Sequence, residues 1–201
     1  MPYKIVRQFE DAIAEYSGAP YAVAVESCSA AIFLSCLYKN IQGQEITIPR
    51  HTYPSVPCSI IHAGGKVKFS TGSWEGVYSL YPIGIIDGAL RFKKGMYHGG
   101  LHCLSFHNKK HLPIGRGGMI LTEDFNAQAW LRRARFDGRG EMPLQQDDFR
   151  ELGWNMYITP EQAARGLLLF SAIKDKDLDD LSVEEQGYPD LSKFEVYSVK
   201  R

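Results

Sequence analysis

Tyr21-Ala-Val-Ala-Val-Glu-Ser-Cys-Ser-Ala-Ala-Ile-Phe-Leu-Ser-Cys-Leu37 decides the fold class. Tyr21 to Val25 is a short apolar run, which suits a buried strand. Ala30 to Leu37 is helical by composition. Between them, Glu26-Ser-Cys-Ser29 is a turn with two hydroxyls. A strand, a turn and a helix start make a place that binds anions, because unpaired N–H groups and the helix dipole point at the ligand. Ser27 or Ser29 acting only as a helix cap accounts for the same residues equally well.

Working outward, the same alternation continues. Phe9, Ile13 and Tyr16 fall at helical spacing, and Gly18 stops that helix. Glu45-Ile-Thr-Ile-Pro49 reads as a strand with His51-Thr-Tyr53 at its carboxyl end. A helix is expected over Ser55 to His62, broken by Gly64 and Gly65, and Lys66-Val-Lys-Phe69 is a short strand. Thr71 to Pro82 is poorly patterned and is expected as loop. Ile83-Gly-Ile-Ile-Asp87 is a strand with a carboxylate at its end, and Lys94 to Gly100 a surface connection. Leu101 to Leu104 leads into Ser105-Phe-His-Asn-Lys-Lys-His-Leu-Pro-Ile-Gly-Arg-Gly-Gly118, and Met119-Ile-Leu-Thr122 reads as a strand leaving it. The glycines there allow backbone to approach closely. Phe125 to Phe136 reads as a helix, followed by a polar, irregular run to Leu152. Thr159-Pro-Glu-Gln162 is a capped helix start, continued by Ala163 to Ile173. From Lys174 the chain is charged and weakly patterned: a helix end, an arm on a neighbouring subunit, or a frayed tail.

Strands alternating with helices imply an α/β fold in three layers, a mostly parallel sheet flanked by helices. In such sheets ligands sit beyond the carboxyl ends of the strands. Ser27, Ser29, Tyr53, Asp87 and Ser105 with the lysines all fall there. Composition narrows the partners. The 201 residues carry 23 basic and 23 acidic groups, so no electrostatic footprint for nucleic acid or an anionic membrane is expected. The four cysteines show no Cys-x-x-Cys spacing, and no run suits a signal peptide or a bilayer span. These features suggest a cytoplasmic protein with reduced thiols. His98 with His102, and His107 with His111, are spaced for zinc on a helix. Gly99 and Gly100 break the first pair, and Lys109 and Lys110 repel a cation at the second, so no metal site is expected.

Taken in order, these motifs resemble the DegT/DnrJ/StrS family of pyridoxal-phosphate (PLP) sugar aminotransferases, within fold-type I. The family's helix–strand opening is similar to Phe9-Glu10 through Val25, and its Ser-Gly-Thr phosphate turn to Ser27-Cys28-Ser29. Its Gly-Asp-Glu-Val-x-x-Pro is similar to Gly43 through Pro49, and its Thr-aromatic pair to Thr52-Tyr53. Its Glu-Asp-x-Ala is similar to Ile86-Asp-Gly-Ala89. Its Ser-Phe-His-x-x-Lys and Gly-Glu-Gly-Gly are similar to Ser105 through Lys110 and Gly115 through Gly118. Its Gly-Tyr-Asn-Tyr-Arg before Gln-Ala-Ala is similar to Gly153-Trp-Asn155 before Gln162-Ala-Ala164.

The resemblance implies an aspartate aminotransferase-like large domain over residues 1–173, with 174–201 a tail or the remnant of a small domain. It implies PLP as cofactor, with Lys110 as the Schiff-base lysine and proton shuttle. Lys109 is the rival; spacing from Ser105 and to Gly115 favours Lys110. Asp87 would hold the pyridine nitrogen protonated. Tyr53 would stack on the ring, or simply pack. Ser27, Cys28, Ser29, Ala89 and Ser105 would complete the cofactor site, the serines at the phosphate. Asn155 would reach the phosphate of a neighbouring subunit, making a homodimer with shared sites. The implied reaction is transamination of a keto-sugar, nucleotide-linked, or another small ketone, with glutamate as donor. A small lyase and a non-catalytic PLP-binding remnant are the alternatives. The family's dehydratase branch, with His at the lysine position, is disfavoured by Lys110. This sequence departs from the family at Cys28 for glycine, Leu90 for Gln or His, Arg116 for glutamate and Tyr157 for arginine. The stretch before Asp87 is short, by a strand's worth, and the family's small domain is not represented.

Overall fold

Apolar residues on one stripe of Lys4–Ser17 make it a helix, α1, that buries Val6, Phe9 and Ile13. Gly18 closes it in the left-handed conformation, its N–H bonded to the Ala14 and Glu15 carbonyls. The computed structural model describes residues 3–198. After α1 come β1 (Tyr21–Val25), α2 (Cys28–Tyr38), β2 (Glu45–Pro49), α3 (Ser55–His62) and β3 (Lys66–Ser70). β4 (Tyr78–Leu80), β5 (Ile85–Asp87), β6 (Leu101–Ser105), β7 (Gly118–Thr122), α4 (Phe125–Ala134) and α5 (Pro160–Ile173) complete the frame.

The main sheet runs β1-β7-β6-β5-β4, and β2-β3 forms a second, parallel pair. Reciprocal hydrogen bonds between Thr47 and Tyr81, at 2.9 and 3.1 Å, join β2 to the end of β4. β1, β2, β3, β5 and β6 point one way, while β4 and β7 run against them. The expected common strand direction therefore holds for most strands, but the sheet is mixed. Carboxyl ends of β1, β5 and β6 share one edge.

Alternation along each strand separates the two faces. Val23, Val25, Cys103 and Ile120 face a core shared with Ile32 and Leu34 of α2, Ile60 of α3 and Leu131 of α4. Ala22, Ala24, Leu104, Met119 and Leu121 face the other, shared with Phe9 and Ile13 of α1 and Phe170 of α5. This is the three-layer arrangement. Gly166 lets α5 close on α1: a Cβ there would lie 2.7 Å from the Phe9 ring. α5 starts with a capping box between Thr159 and Gln162, with Pro160 in its first turn, as its sequence implies.

Two expectations change. Thr71 to Pro82 is not all loop, because Tyr78–Leu80 pairs with β5, burying Tyr78 and Leu80 and exposing Ser79. Residues 174–198 do not fray. The Arg91 guanidinium grips Asp180, Leu181 N–H bonds the Leu90 carbonyl at 2.9 Å, and Leu191 N–H bonds the Arg50 carbonyl at 2.9 Å. Leu191 is 1% exposed, so the segment is packed against the domain.

Candidate active site

Four pieces of chain meet at the carboxyl edge of the sheet around a cavity of about 1000 Å³. The first is the turn into α2. Ser27 caps the helix, its side chain accepting from the Ala30 N–H at 3.1 Å, and its carbonyl accepts from Ala31. Those bonds leave the Cys28 and Ser29 N–H groups, at the positive end of the helix, for a ligand. Ser29 Oγ and Ser55 Oγ are 2.6 Å apart beside them. Cys28 does not crowd this cradle. Its Sγ lies 3.6 Å from the Cys103 carbonyl oxygen, directed at β6. Gly118 is where the lysine loop rejoins the sheet, and a Cβ there would sit 2.5 Å from the Ser27 carbonyl carbon. Glycine at 118 is thus required for the loop and the turn to touch.

The second piece is the end of β5. Asp87 is 4% exposed. Its Oδ1 accepts from the Ala89 N–H at 3.0 Å and its Oδ2 from the Tyr78 hydroxyl at 2.8 Å. Burial pushes its carboxyl above the usual range, while the Ala89 N–H, the Tyr78 hydroxyl and Lys110 pull the other way. Leu90 is turned into the core and does not line the cavity.

The third is the loop 106–117, held shut by Phe106 N–H to the Gly117 carbonyl and Ile114 N–H to the Phe106 carbonyl. Ser105 opens it at the cavity wall. Lys110 is half-buried and Lys109 is exposed, although both reach the cavity. Burial holds the Lys110 amine below the ordinary lysine value and the Lys109 charge adds to this, against the pull of Asp87 and Cys28. Arg116 pairs with Glu26 at 2.9 Å at the rim.

The fourth piece was not foreseen. Gln186 and Tyr188 line the cavity, and Lys110 Nζ donates to Gln186 Oε1 at 3.3 Å. Tyr188 meets Tyr53 edge to face, with centroids 6.3 Å apart, and Tyr53 is 57% exposed. Tyr78 was also missed; its only sequence signal was an aromatic residue among glycines and serines. One expected residue lies elsewhere. Asn155 is exposed, and its amide donates to Asp137 at 3.1 Å, while its neighbours Trp154 and Met156 line the cavity. Tyr157 packs edge to face on Phe136. Among the described residues, no group of three or more His, Cys, Asp or Glu is placed to hold a metal ion, and no helix is long and apolar enough to cross a membrane.

PLP fits this arrangement. It needs an anion cradle, a carboxylate for its ring nitrogen and an amine for its aldehyde, and the cavity has all three in a volume that suits a cofactor-sized molecule. Comparison with known proteins points the same way. The spore coat polysaccharide biosynthesis protein SpsC of Bacillus subtilis is 42% identical over 164 residues, 59% of this chain and 42% of that protein. GDP-perosamine synthase of Caulobacter vibrioides is 24% identical over 208 residues, 82% of this chain and 56% of that protein. This chain thus spans about half the length of these relatives. A crystal structure of a DegT DnrJ EryC1 StrS aminotransferase from Brucella abortus superposes with a TM-score of 0.73 at 19% identity, over 86% of this chain and 60% of that one. The family model for DegT/DnrJ/EryC1/StrS aminotransferases matches residues 1–71 and 93–176. With that match over most of its length, the chain belongs to the DegT/DnrJ/EryC1/StrS aminotransferase family.

Proposed function

We propose that this chain binds PLP and transfers an amino group to a keto-sugar, nucleotide-linked, with glutamate as donor. The observation that carries the reading is the meeting of the α2 N-terminus, Asp87 and Lys110 in one cavity. When bound, PLP supplies an electron sink for the carbon that loses its proton. The protein supplies the rest. The Cys28 and Ser29 N–H groups, with Ser27, Ser29 and Ser105, hold the phosphate. Asp87 pairs with the ring nitrogen, Ala89 flanks it, and Tyr53 covers a ring face. Lys110 presents a partly desolvated amine to the aldehyde, and its Nζ then moves the proton between donor and acceptor carbons. Its burial supports Lys110 over Lys109. The keto-sugar assignment is supported by the named relative, GDP-perosamine synthase.

Residues 1–173 act as the PLP-binding large domain and 174–201 as a tail, from which Gln186 and Tyr188 line the cavity. Asn155 faces away from its own cavity, which supports a homodimer in which it serves the neighbouring site. Free cysteines throughout are in keeping with a cytoplasmic setting. Absorbance tests the proposal. Protein that turns yellow with PLP and bleaches on adding glutamate is the expected result. Yellow protein unmoved by any amino donor indicates a binding remnant without turnover. Colourless protein defeats the PLP assignment.

A further inference from the structure

Tyr78 has no place in the family motifs, yet it is 7% exposed and stands directly opposite Asp87 in the β4–β5 register. Its hydroxyl is 2.8 Å from Asp87 Oδ2 and 2.6 Å from Thr52 Oγ1. An ionised carboxylate only accepts, so the single Tyr78 proton goes to Asp87. Thr52 must then be the donor to the Tyr78 oxygen. The result is a one-way chain of hydrogen bonds from Thr52 through Tyr78 to Asp87. Trp74 braces the Tyr78 ring edge to face at 4.6 Å. Oδ1 is engaged by the Ala89 N–H. Both carboxylate oxygens are therefore held, and Asp87 lines the cavity. Tyr78 and Asp87 both lie in residues 72–92, between the segments matched by the family model.

We infer that Tyr78, backed by Thr52, is a positioning residue that holds Asp87 ionised and aimed into the cavity. The inference rests on the proposed PLP site for its purpose, not for its geometry. A buried carboxylate loses its hydration, and donors aimed at its charged form are what replace it. The other titratable groups facing Asp87 are Lys110 from the loop after β6, Cys28 from α2, Cys103 from β6 and Tyr188 from the C-terminal segment. Among these Lys110 is the cation, and Gln186 already occupies one of its donors. The groups hydrogen-bonded to the Asp87 carboxylate are both neutral, the Ala89 N–H and the Tyr78 hydroxyl.

The test has two readouts. In protein without PLP, the Asp87 carboxyl is followed by carbon-13 NMR across acid pH. Tyr78→Phe should raise the midpoint by about one unit, the scale set by losing a hydrogen bond to a charged group. Thr52→Val should move it the same way by less. With PLP added, Tyr78→Phe should weaken binding by about tenfold, for the same reason. Unchanged midpoints in a folded Tyr78→Phe protein overturn the inference. Should Tyr78→Phe fail to fold, Thr52→Val decides by the presence or absence of its shift. Wild-type protein that ignores PLP sinks the proposed function alone, since the carboxyl titration still settles the Tyr78 role.

Discussion

Lys110 Nζ and Gln186 Oε1 are hydrogen-bonded at 3.3 Å across 76 positions of sequence. The contact places the C-terminal segment on the amine that, in the proposed function, the PLP aldehyde would reach. A ligand that bonds the Lys110 amine would compete with it. Gln186→Ala should therefore tighten PLP binding by about two- to tenfold, the worth of one hydrogen bond that no longer competes. Absorbance titration measures this. Weaker binding in the variant would instead mean that Gln186 supports the cofactor.

Borohydride reduction of the PLP-loaded protein, followed by peptide mapping, should place the adduct on Lys110. An adduct on Lys109 alone defeats the assignment. The pH dependence has a definite sign. Only the neutral amine attacks, and burial lowers the Lys110 value below 10.5. The rate of PLP capture should rise with pH and reach its midpoint below 10.5, the ordinary lysine value. A midpoint at or above that value argues for an exposed lysine.

Asp87→Asn should slow single turnover by about 10²-fold or more, because a neutral amide no longer holds the ring nitrogen protonated. The fold should survive, since the amide still fits between Tyr78 and Ala89. Single-turnover rates are compared alongside thermal melting with PLP bound. Equal rates in variant and wild type would remove Asp87 from the chemistry.

Gly118→Ala should lower stability by about 1–3 kcal/mol, as overpacking does. The new methyl would meet the Ser27–Cys28 peptide, with contacts of 2.5 and 2.6 Å. Because that peptide starts the anion cradle, PLP binding should weaken too. Thermal melting and PLP titration give both answers. A variant normal in both would show that the loop and the turn are not in tight contact.

Shared sites predict complementation. Lys110→Ala and Asn155→Ala proteins, each nearly inactive, are mixed under subunit exchange. Random pairing makes about half the dimers mixed, each with one intact site, so about a quarter of all sites should recover. Exchange proven by mass spectrometry without any recovery would end the shared-site proposal.

The sequence by itself determined the strand–turn–helix order, the turn at Ser27 to Ser29 that starts a helix, the carboxylate of Asp87 at a strand end and the lysine loop. These depend on local spacing and side-chain chemistry, and the structure brings them together where the carboxyl ends of β1, β5 and β6 meet. Only the tertiary structure decided β4. Three residues among glycines, serines and a tryptophan are too short to show a period of two, and Tyr78–Leu80 is a strand because Ile85–Asp87 lies beside it. Likewise, nothing in the charged run after Lys174 marks Gln186 and Tyr188 as cavity residues. Their place is set by distant anchors, Arg91 on Asp180 and the Arg50 carbonyl on Leu191. Asn155 shows the same limit. Its motif is plain in the chain, but which way its amide points follows from its bond to Asp137 and from packing that no local pattern encodes.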